Sequence, residues 1–258
     1  MQATGFLIPC DYFKHTRPDP DFEDIFKAIA DAGYPITLID SETLKPTTHV
    51  CADNYWYKGW MLNATQYKEL ADTVPLIISL DEYLASHHIT GWYAFVKDYT
   101  FESVFTDDPV QSFIQSGWDK VVLKDYVKSL NTGTGSVVCD KESIPQIISS
   151  LEKYRGQIEG GIVLRKFEDL KPDSETRFFV YNGIVHSPTD NHPMLDFADT
   201  VQKLHPQRFF SLDIVERSDG DYRVVEIGDG QVSDLKLWSV EKWVSVFSDS
   251  EKQKLKPH

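Results

Sequence analysis

The sequence predicts an α/β chain that opens with a parallel β-α-β unit and continues as α+β lobes. Three observations lead there. A short apolar strand, an amphipathic helix and a second short strand follow one another within residues 5–39. Two turn signals, Asn182-Gly183 and Asp219-Gly220, each lie between runs that alternate at strand period, as in hairpins. Ile144, Ile147, Ile148 and Leu151 recur at helical spacing, which gives residues 143–154 one apolar face.

Residues 5–9 (Gly-Phe-Leu-Ile-Pro) read as the first strand. Asp21 is placed to cap a helix that runs through Phe22, Ile25, Phe26 and Ile29 and stops at Gly33. Ile36–Ile39 is the second strand, residues 66–71 are helical, and Leu76–Leu80 is a further strand. Asp81 to Leu84 start a helix that ends near His87 and His88, and a domain boundary is expected near residue 90.

Beyond it, Trp92–Lys97 and Lys120–Val127 read as strands that carry lysines, with a short helix over residues 110–115 between them. Asn131 to Ser136 is a Gly-rich turn. Gly161–Phe167 is a strand, residues 176–186 form one hairpin, and Arg208–Gly230 forms the closing one. A helix over 234–247 and a charged tail at 249–258 complete the chain.

Composition excludes some classes. The 258 residues can hold one large domain or two to three small ones, and 41% hydrophobic content is ordinary for a folded chain. No apolar run approaches the length that spans a bilayer. Met1 to Pro9 lack the basic and long apolar regions of a secretory signal. Cys10, Cys51 and Cys139 are far apart and form neither a metal spacing nor a disulfide framework, so a reducing cytoplasm is expected. The formal net charge of −14 argues against a broad grip on nucleic acid, leaving open a small basic cleft on an acidic body.

The closing hairpin carries the strongest chemical signal. Asp213 and Glu226 each sit inside an apolar run, where a carboxylate is costly unless paired. With Asp229 just beyond, they suggest a divalent cation held by oxygen ligands. Lys124 leaves its strand beside glycines, which suits a phosphate but also suits an edge lysine reaching for solvent. Gly133-Thr-Gly135 is neither a Walker loop nor a dinucleotide fingerprint. Arg165 and Arg177 lie in apolar strands, where a planar grip on carboxylate or phosphate competes with a structural ion pair, Glu175 being the obvious partner. Asp234 suits a helix N-cap. His186, His192 and His205 read as ordinary surface or half-buried residues, and no nucleophile–base pairing stands out.

Lysines on two successive strands, a Gly-rich loop and acids on a terminal hairpin together resemble the ATP-grasp fold. Four segments, Tyr57–Leu62, Gly161–Phe167, Glu175–Gly183 and Val225–Ser233, resemble the ATP-grasp clade named for one arginine and two lysines. The resemblance covers nearly the whole chain, and Glu226-Ile-Gly-Asp-Gly-Gln231 is its most specific piece. It implies an N-terminal pre-ATP-grasp domain over residues 1–90 and an ATP-grasp domain over 91–248, with lobes at about 91–165 and 166–248. Lys97 and Lys124 would hold ATP phosphates, and Thr132, Gly133, Gly135 and Ser136 would close over them. Backbone groups of Lys166 and Phe167 would face adenine in the hinge between the two lobes, Glu168 or Asp169 would lie near the ribose, and Arg165 is counted with these nucleotide-binding residues. Arg177 would stabilise charge on the transferred phosphoryl group. Asp213 and Glu226 would hold Mg²⁺, with Asp229 as a further ligand. Lys58 stands where the family often has arginine, so a bidentate contact to a substrate carboxylate is lost.

The implied reaction is an ATP- and Mg²⁺-dependent ligation: a small-molecule or peptide carboxylate is phosphorylated, then attacked by an amine or similar nucleophile, with release of ADP. A nucleic-acid end-modifying ligase and a non-catalytic ATP-binding protein are the alternatives, and a homodimer is left open.

Overall fold

The computed structural model describes residues 3–127, 136–155 and 158–254. Its first sheet is parallel, in the order β2-β1-β3, from β1 (Thr4–Pro9), β2 (Ile36–Ile39) and β3 (Asn54–Tyr57). The central strand β1 is buried along almost its whole length, as expected of a parallel strand covered on both faces. Helix α1 (Glu23–Asp31) makes the crossover, entered through a 3₁₀ turn at Pro20–Phe22. Asp19, not Asp21, caps this entry, accepting from the Asp21 amide at 2.9 Å.

Two capping boxes set the next helices. Asn63 and Gln66 open α2 (Ala64–Thr73), and Ser79 and Glu82 open α3 (Leu80–His87). Leu76–Leu80 is therefore not a strand. Leu76 forms only an isolated bridge with Tyr55, and Ser79 spends its side chain on the cap. The chain then enters α4 (Ile89–Val96), in place of the expected strand. Ile89, Trp92 and Val96 are its buried positions, spaced three and four residues apart, so tertiary packing overrides the strand propensity of the aromatics. Lys97 consequently lies exposed at the C-terminus of a helix.

The second sheet is antiparallel, in the order β4-β7-β5-β6, from β4 (Ser103–Thr106), β5 (Val121–Asp125), β6 (Val137–Val138) and β7 (Ile162–Lys166). Helices α5 (Pro109–Ser116) and α6 (Ile144–Arg155) accompany it, and Ile144, Ile147 and Leu151 pack onto Val121, Leu123 and Leu164.

The third sheet has the order β11-β10-β8-β9, from β8 (Thr176–Tyr181), β9 (Ile184–His186), β10 (Phe209–Glu216) and β11 (Tyr222–Asp229). Both hairpin turns lie where their Asn-Gly and Asp-Gly signals put them. Between the hairpins, α7 (Leu195–Gln202) covers one face, packing Ala198 and Val201 on Phe178, Val180, Phe210 and Leu212. On the opposite face Phe179, Tyr181 and Phe209 pack against Trp243 and Phe247 of α8 (Val240–Lys254). That cluster continues into Phe6, Tyr55 and Trp56 of the first sheet, so α8 ties the N-terminal unit to the third sheet. Tyr55, Trp56 and Tyr57 are core, while Trp60 stays 46% exposed. No helix among the described residues is long and apolar enough to cross a membrane.

Candidate active site

One face of β8, β10 and β11 divides into two ends. The aromatic end packs on α8, and the other end carries Arg177, Asp213 and Glu226 in a single row. Asp213 is the register partner of both Arg177 and Glu226, so all three side chains share one side of the sheet. A bulge at Asp213/Ile214 makes this row compatible with the core behind it. Ile214 opposes Val224 and Asp213 opposes Glu226, so Val225 is the extra residue. The bulge lets Val224 and Ile227 both face the core while Glu226 faces away.

Arg165 holds the bulge. It donates from Nη1 to the Val225 carbonyl at 2.6 Å and from Nη2 to Thr100 Oγ1 at 2.6 Å. Thr100 Oγ1 in turn donates to the Val224 carbonyl at 2.7 Å. The guanidinium lies over the Phe101 ring, 4.9 Å from its centroid. Here a buried arginine reads backbone.

Arg177 grips Asp213 with both arms, Nε to Oδ1 at 2.8 Å and Nη2 to Oδ2 at 2.7 Å. Its remaining Nη1 donates to Asp234, to the carbonyl at 2.9 Å and to Oδ1 at 3.0 Å. The expected Arg177–Glu175 pair is replaced: Glu175 pairs with Lys236, whose ammonium also donates to Asp213 Oδ2 at 2.9 Å. Burial would push the Asp213 carboxyl up, but Arg177, with Lys236 behind it, holds it below the usual carboxylate value. Asp234 is not a helix cap, since α8 begins six residues later.

Lys124 comes from the second sheet. Its nearly buried ammonium donates to Glu226 Oε2 at 3.2 Å. This charge pair joins the two sheets, beside the Arg165–Val225 hydrogen bond.

Asp229 is buried at the end of β11 and faces the N-terminal unit. It accepts from the Gln231 amide at 3.0 Å and the Val232 amide at 3.3 Å, and burial raises its carboxyl to about 7. Gln231 fixes this corner, accepting from the Tyr57 amide at 2.9 Å and donating to Tyr67 Oη at 3.2 Å. The glycines around Asp229 are set by close approach. A Cβ on Gly228 would lie 2.9 Å from Ser211 Oγ, and one on Gly230 would lie 2.7 Å from the Phe209 ring. Lys58 donates to the Ser233 carbonyl at 2.7 Å and lies 5.1 Å from the Trp243 ring centroid. Burial, then the Arg177 charge, lowers its ammonium to about 7, with Asp229 and Asp234 opposing.

These groups surround a cavity of about 760 Å³. Phe22, Lys58, Trp60 and Met61 form its N-terminal wall, Arg177, Asp213 and Glu226 its floor, and Val232 to Lys236 a side. Lys58, Arg177, Asp213, Glu226 and Asp229 are the expected site residues that line it, and Lys124 reaches it through Glu226. Lys97, Arg165, Lys166, Phe167 and Asp169 are not on its walls. Lys166 is exposed beside Glu102, and the Phe167 amide donates to the Lys120 carbonyl at 3.1 Å. Asp169 is exposed and accepts from the Ser218 amide at 3.1 Å through its carbonyl. Thr132, Gly133 and Gly135 lie outside the described residues, while Ser136 is buried where β6 begins. Lys236 is not legible as a site residue in the sequence, and Gln231 lies inside the Glu226–Gln231 segment without a role assigned to it there; both act through the turn after β11.

Residues 89–246 match the family model for the ATP-grasp domain of family 3 in the clade named for one arginine and two lysines. No curated protein sequence matches the chain. Among solved structures, a RimK domain ATP-grasp protein from Sphaerobacter thermophilus is similar at 14% identity and a TM-score of 0.62, over 95% of this chain and 98% of that one. D-cycloserine synthetase DcsG is similar at 9% identity and a TM-score of 0.63, over 96% and 99%. The ATP-grasp ligase PsnB, solved with a phosphomimetic variant of a minimal precursor, Mg and ADP, is similar at 10% identity and a TM-score of 0.59, over 97% and 99%. At these identities the likeness is one of fold.

Proposed function

We propose, for a chain that belongs to family 3 of the ATP-grasp clade named for one arginine and two lysines, an ADP-forming ligation that depends on ATP and Mg²⁺. A carboxylate is activated as an acyl phosphate and then attacked by an amine or similar nucleophile. The observation that carries this reading is the convergence of Lys124 from one sheet with Arg177, Asp213 and Glu226 from another at one cavity. It joins hard oxygen donors to the cations that phosphoryl transfer needs. The PsnB structure was solved with Mg and ADP, and DcsG is named a synthetase, which supports the class of chemistry.

The residues fit the implied groups. Asp213 and Glu226 are register partners on adjacent strands, and Arg177, Lys236 and Lys124 now neutralise them, so this face is built to sit against positive charge. Asp213 and Glu226 would hold Mg²⁺, with Asp229 as a further acid. When bound, Mg²⁺ would neutralise phosphate oxygens and favour charge transfer to the leaving group. Lys124 would orient phosphate oxygens. Arg177, fixed by Asp213 and Asp234, would stabilise the phosphoryl group in flight. Lys97 and residues 132–136 are assigned to the phosphates, and Lys166, Phe167 and Asp169 to the nucleotide side, while Arg165 would serve the site through the bulge that places Glu226. Lys58 would face the substrate carboxylate as a weakly charged group rather than a permanent cation.

Residues 1–90 would serve as a pre-ATP-grasp unit that selects a small-molecule or peptide carboxylate, since Lys58 and Trp60 come from it. The test is ADP release with ATP and Mg²⁺ against pooled carboxylates, peptides and amines, with mass analysis of the condensed product. Substrate-stimulated release that Glu226→Ala abolishes supports the ligation. ATP binding without stimulated release by any pool contradicts it.

A further inference from the structure

We propose that His87, His88 and Glu159 form a second metal site, selective for a transition-metal dication of the Zn²⁺ class and separate from the carboxylate face proposed for Mg²⁺. Each residue offers a ligand atom, and the three atoms lie within 4.8 Å of one another. Tetrahedral Zn²⁺ with bonds of about 2.0–2.1 Å needs ligand atoms roughly 3.4 Å apart. His88 Nε2 and Glu159 Oε1 are already 3.2 Å apart, and the His87 ligand atom, within 4.8 Å of both, has to move inward by at most about 1.4 Å to close the set.

The donor chemistry makes the choice of metal. Two imidazoles and one carboxylate suit Zn²⁺ and its neighbours and disfavour Mg²⁺, which prefers oxygen and keeps its waters. Three protein ligands leave a fourth position for water or a small ligand. His87 also belongs to the wall of the main cavity, so a metal here would be reachable from it.

The ligands are held from behind. The His87 ring stacks on Tyr83 at 4.7 Å and 22°, and Tyr83 Oη donates to the Leu62 carbonyl at 2.7 Å and accepts from its amide at 3.1 Å. His88 closes α3, its amide donating to the Leu84 carbonyl at 3.0 Å. The Glu159 carbonyl accepts from the Tyr126 amide at 3.2 Å, and its amide donates to Asp125 Oδ2 at 3.4 Å. Such support orders a site before the metal arrives. His87 and His88 end α3 whereas Glu159 precedes β7, so the metal would staple the N-terminal unit to the second sheet.

The experiment uses the full chain, stripped with chelator and kept in excess Mg²⁺ without ATP. Titration with Zn²⁺, followed by Co²⁺ substitution, is expected to show one saturable site with tetrahedral Co²⁺ absorption and a rise in melting temperature. His88→Ala and Glu159→Gln should each weaken binding at least tenfold while keeping the wild-type circular dichroism. Cys51→Ser/Cys139→Ser, which removes the two exposed thiols, should leave it unchanged. Absence of a saturable site, binding indifferent to His88→Ala and Glu159→Gln, or binding lost only with the cysteines would overturn the assignment. None of these readouts depends on ligase activity.

Discussion

Lys124 of β5 and Glu226 of β11 belong to different sheets and meet at 3.2 Å over the cavity floor. The Lys124 side chain is 4% exposed and that of Glu226 is 32% exposed, so removing the acid strands an ammonium that cannot turn to water. Glu226→Ala should cost roughly 1–3 kcal/mol of stability and abolish Mg²⁺-dependent ATP binding. Denaturant unfolding and calorimetric titration of a non-hydrolysable ATP analogue measure the two effects separately. Unchanged analogue affinity would remove Glu226 from the metal set.

Lys124 and Lys97 should differ. Lys97 is exposed at the end of α4, away from the cavity walls, whereas Lys124 is buried beside Glu226. Lys124→Ala is expected to weaken ATP analogue binding at least tenfold, about 1.4 kcal/mol. Lys97→Ala should weaken it by less. Equal losses would show that the segment around Lys97 rearranges when nucleotide binds.

Arg165 acts through the bulge. Arg165→Met leaves the Val225 carbonyl and Thr100 Oγ1 without their donor, at a cost of roughly 1–3 kcal/mol. Because Val225 separates Val224 from Glu226, the variant should also lose apparent Mg²⁺ affinity. Raised Mg²⁺ should restore ATP binding if Arg165 positions Glu226, and should fail to restore it if Arg165 touches the nucleotide itself.

Lys58 predicts a pH dependence. Its folded ammonium titrates near 7 because of burial and then Arg177, against an ordinary value of 10.5. Between those limits the unfolded chain binds the extra proton, so stability rises with pH. The contribution is full above about 10.5 and is lost as pH falls through 7. Wild-type stability relative to Lys58→Met should therefore rise from about pH 7 to about pH 10 in urea unfolding. A flat difference would mean that Lys58 is an ordinary charged lysine in the fold.

The hairpins are legible because Asn182-Gly183 and Asp219-Gly220 fix turn type locally, and Asp213 and Glu226 stand out as acids within apolar runs. The two errors of element type share one cause. Trp92 to Lys97 reads as strand by composition, but the helix starts at Ile89, and only from there do its buried positions show helical spacing. Leu76 to Leu80 reads as strand until Ser79 and Glu82 are recognised as a capping box. Helix α7 is not predicted, although Ala198 and Val201 carry its stripe. Lys236, Asp234 and Gln231 are beyond local reading, since each meets its partner through long-range packing of an irregular turn.

The central claim is that a carboxylate is activated by phosphorylation. The direct test is isotope transfer, with ¹⁸O in the carboxylate that the substrate screen returns. The account predicts one ¹⁸O atom in released phosphate and none in the nucleotide, with the label transfer lost in Arg177→Met. Label in AMP, or unlabelled phosphate beside a condensed product, would contradict it.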